Sequence, residues 1–164
     1  MKTALRLIFL VAVLAGGIWL WRELFPPPEK VIAARLEKMA RAASVQPGEG
    51  TLLRIADAHK VGDYCASNVD ISIDLPHHQH HALASRDDIV QGLTLAKTQG
   101  GLTVKFHDIL VTIGPDGTTA DAEVTIEAHV TGESDVIIQQ MKFTLQKIDG
   151  QWLVTKVQTV RPLS

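Results

Sequence analysis

Four of the chain's seven histidines fall within five positions, His77-His78-Gln79-His80-His81. Neutral imidazoles bind borderline metals such as Zn²⁺. In an extended segment His78 and His80 share one face; in a helical turn His77 meets His80 or His81. A further ligand would come from Asp74, His107 or His129. The spacing matches no standard metal motif, and a solvated polar hairpin accounts for the same residues. No cofactor is therefore expected, with Zn²⁺ as the alternative.

Acid–base chemistry has its own candidates in Asp70, Asp74, His107, Asp108 and His129, with Tyr64 as a hydroxyl donor. An isomerase or dehydratase needs one base tuned by an apolar cavity and one donor aimed at the developing oxyanion. Strand alternation puts Asp70 and Asp74 opposite the apolar residues Val69, Ile71, Ile73 and Leu75. His129 shares its phase with Glu123 and Glu127, so it is expected on a polar face. His107 stands where the phase slips, and a bulge there can re-aim a side chain into a cavity. The single cysteine, Cys65, is expected to be buried and inert, because no activating base lies nearby in the sequence.

These residues must be positioned by elements that the pattern of apolar residues specifies. Residues 29–43 form a helix with Ile32, Leu36, Met39, Ala40 and Ala43 on one stripe. Residues 51–66 form a second helix, weakened at Gly62. Residues 68–75 form a strand that Pro76 ends. Ser85 caps a third helix, with Asp88 three residues on, and Gln99-Gly100-Gly101 stops it. Its stripe runs through Ile89, Leu93 and Ala96 or Lys97. Four strands follow, separated by Pro115-Asp116-Gly117, Gly132-Glu133-Ser134 and Asp149-Gly150. The apolar phase shifts from Leu102, Val104 and Phe106 to Ile109, Val111 and Ile113, which predicts a bulge at His107-Asp108. The class is α+β, with an antiparallel sheet.

Ahead of this domain Leu7 to Trp21 carries no charge. As a helix it spans about 22 Å, short of the roughly 30 Å hydrocarbon core unless Arg6 and Arg22 snorkel. Bulky Ile18-Trp19-Leu20-Trp21 is unlike a cleavage site, so an uncleaved anchor is expected. Residues 1–23 are then the membrane anchor, 24–28 a stiff proline linker and 29–164 the domain. Lys2 and Arg6 favour a cytoplasmic N-terminus, which makes a single-pass protein with its domain on the non-cytoplasmic side. With 16 Lys+Arg against 18 Asp+Glu and a net charge of -2, there is no basic excess to bind nucleic acid.

Three features together resemble the nuclear transport factor 2-like superfamily, the cystatin-like cone, over roughly residues 29 to 161. They are the helix start Ser85-Arg86-Asp87-Asp88-Ile89 after the first strand, the bend at His107-Asp108-Ile109, and the terminal hairpin Lys147-Ile148-Asp149-Gly150-Gln151-Trp152-Leu153-Val154. The resemblance implies a strongly curved antiparallel sheet wrapped on three N-terminal helices, a cone with a cavity. It implies an apolar lining, for which Tyr64, Phe106, Phe143 and Trp152 are the candidates. The superfamily's enzymes use a cavity Asp or an Asp/His pair with a donor such as Tyr, and no such set is matched residue by residue. The expectation is a membrane-tethered, non-catalytic domain that binds a small apolar ligand or associates through its sheet as a homodimer. The alternative is a small lyase or isomerase using His107 or Asp70 as base, with Tyr64.

Overall fold

The computed structural model describes residue 17 and residues 26–45, 48–73, 81–83, 85–99, 101–131 and 136–160. The expected anchor, apart from Gly17, lies outside the described residues. So do Asp74, His77, His78 and His80 and the side chain of His81. Among the described residues no helix is long and apolar enough to cross a membrane.

Helix α1 runs Pro28–Ala43 with Pro28 at its first turn, where a missing N–H costs nothing, and Glu29 beside it. Ile32, Leu36 and Ala40 recur every four residues and are buried. The helix stops at Ser44, whose backbone turns extended. Its hydroxyl donates to the carbonyl of Val104 at 2.9 Å and accepts from the N–H of Val104 at 2.8 Å. Val45 N–H then donates to the Leu102 carbonyl. One buried serine thus stitches the end of α1 to an edge of the sheet.

Helix α2 covers Thr51–Gly62 and ends four residues earlier than the pattern suggested. Cys65 and Ala66, expected in this helix, open strand β1 (Cys65–Ile73) instead. Gly62 lies against α3, with no room for a side chain, and the chain turns at Asp63-Tyr64. Helix α3 covers Arg86–Gln99, and Ser85 caps it by accepting from Asp88 N–H at 3.2 Å. The short strand β2 (His81–Leu83) lies between β1 and α3.

The other strands are β3 (Leu102–Ile113), β4 (Thr119–Val130), β5 (Val136–Ile148) and β6 (Gln151–Thr159). They complete a six-stranded sheet in the order β2-β1-β6-β5-β4-β3. The sheet is mixed rather than antiparallel, because β1 pairs parallel to β6. Turn chemistry dictates the direction of consecutive strands only. The β1–β6 pairing joins residues some 90 positions apart, where no turn speaks.

The bulge occurs where the phase slip placed it. His107 pairs with Thr125 and Leu110 with Glu123, so Asp108 and Ile109 together face one residue of β4. Asp108 takes a left-handed φ of 51°, a conformation that aspartate tolerates better than most residues. The slip returns Ile109, Val111 and Ile113 to the same side as Val104 and Phe106.

One face of the sheet is buried under the helices. Ala120, Ala122 and Val124 of β4, Met141, Phe143 and Leu145 of β5, and Trp152, Val154 and Val157 of β6 form the core with Ile32, Leu36, Val61 and Ile89. α1 packs on β3, α2 on α3, and α3 on β1. A Cβ at Gly62 would stand 2.7 Å from the Cγ2 of Val90. Gly62→Ala is expected to lose about 1–3 kcal/mol of stability in urea unfolding, because the α2–α3 contact must open to admit the methyl group.

Candidate functional site

The inner face of the sheet is dry at one end and becomes polar at the other. At the turn end it consists of Ile113, Ala120 and Leu145; further along come Val111, Ala122 and Phe143, then Val124 and Met141. Beyond these, Phe106 pairs with Ile126 and Ile126 with Gln139. Gln139 and Thr159 bring the first polar groups onto this face. The Gln139 amide Nε2 donates to Thr159 Oγ1 at 3.2 Å, and Thr159 Oγ1 donates to Met141 Sδ at 3.7 Å. Both residues are half-buried, whereas Ile137 one pair further out is 44% exposed. An apolar floor with an amide and a hydroxyl at its rim can hold a mostly apolar molecule and orient one polar group on it.

The charged side chains described on the strands lie on the opposite face or at the turns. Asp70 reaches Lys156 at 3.8 Å. Lys142 meets Asp121 at 3.0 Å, and this lysine, through its hydrogen bond, holds the Asp121 carboxyl below its usual value. Glu127 accepts from Lys105 at 3.4 Å and pairs with His107 Nε2 at 3.2 Å. Lys105, then His107, lower the Glu127 carboxyl in turn. His107 is 46% exposed on its side chain. The bulge leaves it on the outer face at the rim of an open cleft of about 290 Å³, between α1 and β3, beside Glu37, Ala40, Arg41 and Phe106. His129 lies on the same outer face as Glu127, by strand parity.

Of the four aromatic residues expected to line one cavity, Phe143 and Trp152 belong to the core and Phe106 packs against it. Phe106 and Phe143 meet with ring centroids 5.6 Å apart and planes tilted by 52°. Tyr64 and Trp152 sit towards the turn end. Trp152 is in the core, and Tyr64 lies half-buried under the Arg35 guanidinium, 4.9 Å from the ring centroid. Tyr64 and His107 are thus on different parts of the molecule, and Asp70 faces solvent. Cys65 is fully buried, and desolvation pushes its thiol up to about 11, against a weaker opposing pull from Arg86 and Arg35. Among the described residues no cluster of three or more His, Cys, Asp or Glu could hold a metal ion.

Gln139 and Thr159 escaped the sequence pattern. Gln139 falls on the apolar phase Ile137, Met141, Phe143, and that interruption was the signal available. Thr159 gave none, because a threonine near the end of a strand is ordinary.

No family model and no curated protein matches the chain. Solved structures do. A nuclear transport factor 2-like protein of unknown function from Pseudomonas putida superposes with a TM-score of 0.62 at 15% identity, covering 84% of this chain and 88% of its own. A cystatin-like domain of unknown function from Nostoc punctiforme gives 0.56 at 14% identity, covering 83% and 78%. A provisionally assigned scytalone dehydratase from Novosphingobium aromaticivorans gives 0.57 at 17%, covering 82% and 88%. The chain therefore has the nuclear transport factor 2-like, cystatin-like fold. Likeness at this identity carries the architecture and leaves the chemistry to the site.

The β3–β4 turn carries a separate electrostatic feature. The Asp116 carboxylate accepts from the hydroxyls of Thr119 and Thr118 and from both of their backbone N–H groups. Those bonds hold its carboxyl well below the usual carboxylate range. A folded value below the unfolded one contributes stability that is present above about pH 4 and lost as the solution becomes more acidic. The urea midpoint of the parent chain is expected to fall more steeply between about pH 5 and about pH 3 than that of Asp116→Asn, which has no proton to gain.

Proposed function

We propose that this chain is a membrane-tethered, non-catalytic domain that holds a small apolar ligand on the inner face of its sheet, at the end where Phe106, Ile126, Gln139 and Thr159 lie. The tether is the uncharged run Leu7 to Trp21. Lys2 and Arg6 ahead of it favour a domain on the non-cytoplasmic side. One observation carries the binding reading. Apart from the buried thiol of Cys65, the titratable side chains described on β1 and on β3 through β6 lie on the outer face or at the turns, while the described inner face offers hydrocarbon with the Gln139 amide and the Thr159 hydroxyl.

A lyase or isomerase would need a base inside that apolar region, where desolvation tunes its pKa, upward for a carboxylate and downward for an imidazole. The side chains of His107 and Asp70, the bases the sequence offered, are instead 46% and 62% exposed and paired with Glu127 and Lys156. Association through the outer face of the sheet would rest on Leu110 and Ile138, which are 64% and 68% exposed among these ion pairs.

The binding reading is tested by titrating the full chain with the uncharged probe N-phenyl-1-naphthylamine and following its fluorescence. Saturable binding is expected. Ile126→Glu, which sets a carboxylate on the inner face, is expected to weaken it by roughly tenfold or more, about 1.4 kcal/mol. Leu110→Glu on the outer face is the control and should leave it unchanged. Equal affinity of the Ile126→Glu and parent chains, with both unfolding cooperatively, would exclude the inner face as the site.

A further inference from the structure

The polarity of α1 relative to the sheet fixes which end of the domain stands nearest its tether. At the C-terminal end of α1, Ser44 and Val45 are bonded to Val104 and Leu102, at the start of β3. Leu102 pairs with Val130 at the end of β4, and the neighbouring His129 pairs with Val136 at the start of β5. These residues define the far end of the sheet, and Ile137, Gln139 and Thr159 stand at or near it. Nearer the start of α1, Arg35 donates to Gln151, the first residue of β6, at 3.4 Å and to the carbonyl of Asp63 at 3.3 Å. That is the end of the Asp149-Gly150 hairpin and of the turn after β3. Lys147 N–H donates to the Thr118 carbonyl there and joins the two turns.

From these contacts we infer that the turn end of the domain faces the bilayer and that the Ile126–Gln139 end of the inner face opens away from it, so that ligand arrives from the aqueous phase and not laterally from the lipid. The inference rests on the tethered reading above. Six positions separate Trp21 from Pro28, the first residue of α1. Trp21 and Pro28 can therefore stand at most about 25 Å apart, and less with consecutive prolines, which also stiffen the joint. α1 itself is 16 residues long, roughly 24 Å, and carries the chain away from the tether to the far end. The longest strand exceeds it: β5 has 13 residues, about 43 Å at its usual rise. A domain suspended by the first residue of α1 keeps its turns close to the headgroups and its Val136 end outermost. An apolar ligand extracted from the bilayer would first meet the turn end, where Trp152 and Leu145 are buried in the core.

The test places a fluorescent donor on a cysteine introduced into the full chain, reconstituted in phosphatidylcholine vesicles that carry a headgroup-linked acceptor. Lys147→Cys marks the turn end and Ile138→Cys the far end. Both positions are exposed, and buried Cys65 stays unlabelled in the folded chain. Energy transfer at least twofold higher from position 147 than from position 138 is the expected result. Equal transfer, or the reverse order, in vesicles that carry the chain through a density gradient would overturn the orientation and leave the tether standing. A chain that fails to float with the vesicles would overturn the tether, and the orientation with it.

Discussion

The ammonium group of Lys97 is wholly out of solvent, at a point where all three helices meet. It donates to the carbonyls of Ala42 and Ser44 at 2.8 and 3.0 Å, the last acceptors of α1. It lies 3.3 Å from the Glu49 carboxylate in the segment between α1 and α2, and 3.9 Å from Asp57 on α2. Arg54 of α2 adds a bond to the carbonyl of Lys97 at 3.0 Å and one to that of Glu49 at 3.2 Å. The end of a helix leaves carbonyls without partners, and burying them is costly. A buried cation answers that need and has its own charge answered by Glu49. The arrangement fixes where α1 stops, and Ser44 can then dock on β3.

Everything inward of the helices depends on that closure. With α1 held across β3, and α3 held against α2 and β1, the sheet has one face it can leave largely apolar. Its charges are then confined to the other side, as Asp121–Lys142 and Glu127–Lys105 show. The bulge at Asp108 serves the same end, because without it the second half of β3 would turn Ile109, Val111 and Ile113 to solvent. In the function proposed above, this inner face is where the apolar molecule would rest.

Much of this frame was legible in the residues. Period-two alternation located the strands, and the phase slip located the bulge to within a residue, because both are local consequences of putting one face in water. Ser85 announced its helix for the same reason, since a cap acts on an N–H three residues away. What was hidden is non-local. The parallel pairing of β1 with β6 leaves no mark on either strand, and Cys65 read as helical because apolar residues on both sides of Gly62 fit one stripe. Lys97 occupied a position that periodicity left open to Ala96. Only its bonds to residues some fifty positions earlier show why the lysine, and not the alanine, turns inward. Of the site, Phe106 and Phe143 were visible as apolar strand residues. The Gln139–Thr159 pair joins the middle of one strand to the end of another and has no sequence signature.

The most direct measurement is urea unfolding of Lys97→Met, which keeps the length and bulk of the side chain and removes the ammonium. Glu49 and the two carbonyls of α1 would then be buried without their cation, so a loss of about 3–5 kcal/mol is predicted. Stability equal to or above that of the parent chain would mean that the helices are held by apolar packing alone, and that the buried charge is not what closes the fold.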